Sequence, residues 1–166
     1  VGEIGLDHRA PYAAHRAEQA RAFREQLALA RALDRPVVLH VVRAHGEVLA
    51  VLKGDGVPRA GGVVHAFSGS VEVMQAYLAL GLHISLAGPV AHPRSRRLHA
   101  AAAAVPAHRL LVETDAPDQP PPGVPGRNEP AVLPQVIAAV AALRGTPVAQ
   151  VGAQAAANAR RLFGLT

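Results

Sequence analysis

A chain of 166 residues with half of them hydrophobic and 17% charged has enough apolar content for one sizeable core and too much to stay disordered. No apolar run approaches the roughly 18 residues of a membrane span, no signal-peptide pattern opens the sequence, and zero Cys excludes a disulfide frame or thiolate metal site, which together predict a cytoplasmic protein with no membrane partner. The formal charge of +5 rests on 16 Arg and the single Lys53, mostly scattered among Ala, and reads as coding bias as much as a basic surface.

Short apolar runs alternate with helical stretches. Val1 to Leu6 reads as a strand, and because the chain opens directly on it, a preceding segment is expected. Phe23, Leu27 and Ala30 recur at helical spacing between Ala14 and Leu33. Pro36 then opens VVLHVV, a continuous apolar run of the kind seen in strands covered on both faces. Gly46 to Lys53 predicts a short helix, and Gly61-Gly62 leads into the strand VVHAF. Ser70 is placed to cap a helix running through Leu80, Gly81 ends it, and LHISLAG follows as a strand. Arg94 to Val105 predicts a helix and RLLVET a fifth strand. Residues 117–130 hold too much Pro and Gly for regular structure and predict a long functional loop. Helices over Ala131–Leu143 and Pro147–Phe163 complete the chain.

This alternation predicts βαβ units and a parallel sheet, either doubly wound or most of a (β/α)₈ barrel. In both, the carboxyl ends of the strands share one edge, where sites are built. Polar, metal-capable side chains interrupt the apolar runs at such places: Glu3, with Asp7 just after it, then His40, His65 and Asp115. Two imidazoles and two carboxylates brought to one mouth suit a divalent ion, Zn²⁺ or Mn²⁺, or Mg²⁺ where oxygen dominates. Glu113 stands two residues before Asp115 and is expected to hold a neighbouring loop or His instead of an ion. The other seven His (8, 15, 45, 83, 92, 99 and 108) read as ordinary structural residues. Arg127 and Asn128, on the long loop, are candidates for holding a phosphate, with a solvated turn as the simpler account.

Taken in order, GEIGLD (2–7), PVVLH (36–40), HAFSGS (65–70), LLVETDAP (110–117), GRNEP (126–130) and NARRLFG (158–164) resemble the TatD family of metal-dependent hydrolases, and HVVRAHGEVL and ETDAPDQP look most like its YjjV-type branch. The resemblance covers essentially the whole chain. It implies an α/β, TIM-barrel-like fold of the amidohydrolase type, one or two Mg, Mn or Zn ions, and hydrolysis of phosphodiester bonds, typically in DNA. By that resemblance Glu3, His40, His65 and Asp115 are metal ligands and Asp115 also serves or orients the base for the attacking water. Arg127 and Asn128 fall on a family loop near the substrate. The sequence departs from the family by containing no H-x-H pair, which normally ends the family's first strand. A barrel of this kind takes about 250 residues, so the chain is expected to be a single domain equal to the C-terminal two thirds of one, incomplete at its N-terminal strands. The alternatives are metal-dependent hydrolysis of an amide or of a small ester or phosphoester, or a truncated remnant without catalysis.

Overall fold

The computed structural model describes residues 1–166. Five strands form one parallel sheet: β1 (Ile4–Asp7), β2 (Val37–Val42), β3 (Gly62–Val64), β4 (His83–Leu86) and β5 (Leu110–Val112). Their spatial order is β1-β2-β3-β4-β5, the same as their order in the sequence. A doubly wound sheet must reverse direction at a switch point, whereas here every crossover steps the same way. The sheet is therefore an arc of a barrel wall, five strands long and not closed on itself.

The crossovers are α1 (Arg16–Ala32), α2 (His45–Asp55), α3 (Val71–Ala79) and α4 (Arg96–Ala104), and α5 (Leu133–Arg144) and α6 (Val148–Phe163) follow β5. Each of the first three buries an apolar stripe. Phe23, Leu27 and Ala30 come from α1, Val48, Val51 and Leu52 from α2, and Met74 and Tyr77 from α3. With Leu6, Leu39, Val64, Ile84 and Leu110 of the strands, they belong to one core of 28 buried residues between helices and sheet. The Ser70 cap is realised, its hydroxyl accepting from the Val73 N–H at 3.4 Å, a contact worth about 1 kcal/mol.

Two expectations need correction. The first strand starts at Ile4, not Val1; Val1 lies alongside β2 instead, its nitrogen donating to the Pro36 carbonyl at 2.6 Å and its carbonyl accepting from Val38 N–H at 3.0 Å. And β2 is not covered on both faces. Val37, Leu39 and Val41 are buried under the helices, while Val38, His40 and Val42 are only half-buried on the concave face, because a five-strand arc leaves that side open. The strands β3 and β4, in the middle of the arc, are buried throughout.

Gly5 fixes how closely β1 and β2 approach. It holds φ +146°, and a Cβ there would lie 2.0 Å from the His40 carbonyl oxygen, so only glycine fits. The pairing Gly5↔His40 then sets the register Ile4↔Leu39 to Asp7↔Val42. That register places Glu3, Asp7 and His40 beside one another. No single helix is long and apolar enough to cross a membrane.

Candidate metal centre

Three of the four expected ligands converge. Glu3 stands on a bend just before β1, His40 on the concave face of β2, and His65 directly after β3. Glu3 Oε2 lies 3.1 Å from His65 Nε2 and 3.4 Å from His40 Nδ1, and the two ring nitrogens are 3.1 Å apart. A triangle with these sides has a circumradius of about 1.9 Å, so a point about 1 Å off its plane lies about 2.1 Å from all three, the usual bond length for an ion held by N and O. The donor set of two neutral imidazoles and one carboxylate therefore fits a divalent metal, with the open side facing the concave cavity.

Both imidazoles are supported from behind. His40 Nε2 lies 3.2 Å from Asp7 Oδ2, which leaves Nδ1 to face the centre. Asp7 is itself held by Arg9, whose Nε and Nη2 donate at 2.9 and 2.5 Å to Oδ2. The Arg9 hydrogen bonds keep Asp7 ionised to far below the ordinary carboxylate range, against the opposing effect of burial. On the other ring, His65 Nδ1 lies 3.3 Å from Glu113 Oε1, while Nε2 faces Glu3. Such carboxylate–histidine pairs orient a ligating ring and raise its basicity. Burial disfavours charge on His65, but the Glu113 hydrogen bond and the nearby carboxylates outweigh it, so its pKa is raised above 6.5.

Glu113 is fully engaged. It accepts from the Ala66 N–H at 2.7 Å and from Ser85 Oγ at 2.5 Å, as well as facing His65. Burial would raise its pKa, but these partners lower it on balance. It thus holds both a loop and a His, the arrangement its position suggested.

Asp115 does not join the triangle. Its φ of +59° turns the chain after β5, and its Oδ1 lies 3.6 Å from His65 Nδ1, on the side of the ring away from Glu3. The other oxygen accepts from Gln119 Nε2. Asp115 instead groups with His65 and Glu113, a second cluster of potential ligands sharing His65 with the first. Burial raises its pKa on balance, although Gln119 and His65 act to lower it. None of the other seven His belongs to either cluster.

The two clusters open into one cavity of about 620 Å³ lined by Glu3, Arg9, His40, His65, Asp115 and Gln119, among others. Arg127 and Asn128 line a separate opening at the far side of Pro117. Arg127 is exposed. Asn128 is 3% exposed and its amide donates to the carbonyls of Thr114 (2.6 Å) and Asp118 (2.5 Å), while Oδ1 accepts from Glu129 N–H at 2.9 Å. It pins the loop, and both amide hydrogens are used within the chain. Sequence reasoning passed over two contributors, the supporting role of Asp7 and the part played by Ser85. Asp7 was visible as a second acid in GEIGLD, four residues after Glu3, whereas nothing in HISL marked Ser85 as facing Glu113.

An arc of parallel strands with imidazoles and carboxylates gathered at one mouth is the framework of a metal site in a TIM-barrel-like protein. A family model described as "TatD related DNase" matches residues 1–164. The chain belongs to the TatD family of metal-dependent hydrolases. It is 43% identical over 171 residues to the "3'-5' ssDNA/RNA exonuclease TatD" of Klebsiella pneumoniae (strain 342), an alignment spanning 99% of this chain and 65% of that protein. It is 32% identical over 167 residues to the "Uncharacterized metal-dependent hydrolase YabD" of Bacillus subtilis (strain 168), spanning 98% and 64%. The crystal structure of YJJV, a TatD homolog from Escherichia coli K12, superposes with a TM-score of 0.93 at 35% identity, covering all of this chain and 64% of that one. The chain thus spans a little under two thirds of the length of these relatives.

Proposed function

We propose that this protein hydrolyses phosphodiester bonds in nucleic acid with water as nucleophile and a divalent metal as cofactor, as a deoxyribonuclease or a closely related phosphodiesterase. The observation that carries the reading is the Glu3–His40–His65 triangle, whose three donor atoms lie 3.1–3.4 Å apart in a chain of this family. The nuclease names of the relatives support the substrate class.

Glu3, His40 and His65 would hold the ion, which supplies Lewis-acid polarisation of a phosphoryl oxygen and lowers the pKa of water. Asp7 and Glu113 keep the two imidazoles oriented and their ligating nitrogens free of protons. Asp115, at the cavity wall with its carboxyl made more basic by burial, is the group to orient a water and take its proton. By the family resemblance the same carboxylate would also be a metal ligand, and its place beside His65 supports that. The long loop 116–130, pinned by Asn128, closes one side of the cavity, and Arg127, at the separate opening beyond Pro117, would supply a cation for a more distant substrate phosphate.

The reading takes residues 1–166 as one domain, built as successive βα units of the family barrel. Five consecutive parallel strands on one core support this. The cysteine-free sequence supports residence in the reducing cytoplasm.

The test is release of nucleotides from single-stranded DNA in the presence of Mn²⁺ or Mg²⁺. Asp115→Asn should reduce the rate by about 10²- to 10⁴-fold, the usual contribution of a positioned acid or base. His65→Ala should lower the metal bound per chain. Activity that persists in Asp115→Asn, or an unchanged metal stoichiometry in His65→Ala, would overturn the assignment.

A further inference from the structure

The segment after β4 carries charge that the fold does not use. Arg94, Arg96 and Arg97 are all exposed, and none makes a side-chain hydrogen bond or ion pair; the arginine ion pairs of the chain belong to Arg9, Arg24 and Arg59. Arg96 and Arg97 open α4, whose first turn contains no acidic residue and whose N-cap, Ser95, makes no side-chain cap bond. Cations at a helix N-terminus are repelled by the helix dipole, so helix stability gives no reason for two arginines there. The turn before α4 has His92 and no carboxylate, and residues 88–99 contain no Phe, Tyr or Trp.

This basic lip lies next to the candidate centre. The segment leaves the carboxyl end of β4, the edge at which the site is built. Leu98, one residue past Arg97, walls a small cavity together with Phe67, Leu86, Ser68 and Gln119, and Ser68 and Gln119 also line the main cavity. Gly88 keeps the two segments in contact, since a Cβ there would meet the Gln119 carbonyl at 2.1 Å. Ser68 and Gln119 are therefore shared between the small cavity walled by Leu98 and the main cavity that holds the Glu3–His40–His65 triangle.

We propose that Arg94, Arg96 and Arg97 form the track that holds the sugar-phosphate backbone of a nucleic-acid strand as it passes to the centre. The inference rests on the phosphodiester reading of that centre. Three guanidiniums without partners in the chain match phosphate oxygens. Without aromatic side chains the lip cannot stack bases, so it reads charge and not sequence. Glu3, Asp115 and Asp118 make the main cavity itself acidic. A separate basic surface offsets the repulsion between a polyanion and these carboxylates.

The experiment is fluorescence anisotropy of a labelled oligothymidylate in EDTA, so that binding is read without metal or cleavage. The protein is compared with Arg94→Gln/Arg96→Gln/Arg97→Gln and with Arg35→Gln/Arg59→Gln, two exposed arginines beside the amino ends of β2 and β3. Each phosphate contact on a single strand contributes a slope of about −0.7 in log K against log salt. The triple variant should therefore lose about 2 in slope and bind about 100-fold more weakly at about 50 mM salt, while the control pair keeps slope and affinity. Circular dichroism should show the same melting transition for all three proteins. The proposal fails if the triple variant keeps its slope, if the control pair loses as much, or if the protein binds no oligonucleotide. Loss of hydrolysis with binding intact would sink the phosphodiester reading and leave the track standing. Unchanged binding in the triple variant of an active enzyme would do the reverse.

Discussion

Replacing Glu113 with Gln separates orientation from structure at the centre. The carboxylate accepts from Ala66 N–H at 2.7 Å, from Ser85 Oγ at 2.5 Å, and faces His65 Nδ1 at 3.3 Å. A glutamine is isosteric. Its Oε1 can keep the Ala66 and His65 contacts, and its amide can donate to the Ser85 hydroxyl, so the fold should survive with a melting temperature within about 3 °C, the shift that about 1 kcal/mol brings at this chain length. What is lost is the negative charge behind His65. Removing a carboxylate that supports a ligating imidazole typically costs 10- to 100-fold in metal affinity, or about 1.4–2.7 kcal/mol. Glu113→Ala is the contrast: it strands a buried N–H, a hydroxyl and an imidazole, each worth about 1–3 kcal/mol, and should cost about 3–5 kcal/mol in stability. Isothermal titration with Mn²⁺ or Zn²⁺, with parallel thermal melts in EDTA, measures both. The reasoning is refuted if Glu113→Gln binds metal as tightly as the unaltered protein, or if it melts as early as Glu113→Ala.

Three further outcomes follow from the geometry. Gly5→Ala puts a Cβ 2.0 Å from the His40 carbonyl at a backbone angle that L side chains rarely adopt; β1 and β2 must separate by about 1 Å, at a cost of about 3–4 kcal/mol, lowering the melting temperature by about 10 °C and weakening metal binding in the same protein. The pKa of His65 is raised above 6.5 in the fold, so in the metal-free protein its contribution to stability is full below pH 6.5 and is lost as pH rises through the folded value; metal competes with that proton, so affinity should climb over the same window, and titrations at stepped pH that show a flat affinity would count against His65 as a ligand. Asn128→Ala removes three part-buried hydrogen bonds, to the carbonyls of Thr114 and Asp118 and from the Glu129 N–H, about 1–3 kcal/mol of local stability, and should make residues 116–130 the first site of limited proteolysis, whereas Arg127→Ala should leave proteolysis unchanged.

Most of the local structure was legible because local structure is written in neighbouring residues. The 3.6-residue spacing of Phe23, Leu27 and Ala30 defined α1, Ser70 and Gly81 bracketed α3, and the Pro- and Gly-rich run 117–130 could only be a loop. The chemistry of the site was legible for a similar reason: His40 and His65 interrupt apolar runs where no core needs them. Tertiary structure decided the rest. Whether five strands wind one way or reverse depends on which edges pair, and the order β1 to β5 is a long-range fact that no apolar run contains. Glu3 reaches His65 across 62 positions only because Gly5 lets β1 press against β2 in one register. Asp115 shares a strand-end pattern with the histidines, yet a left-handed backbone angle and the Gln119 contact turn it to the other side of His65. Asn128, with nothing in GRNEP to distinguish a ligand-binding amide from a structural one, became the pin of the loop because folding buried it against two carbonyls. Residue type and spacing determine which chemistry a chain carries; packing and backbone angle determine which of those groups meet.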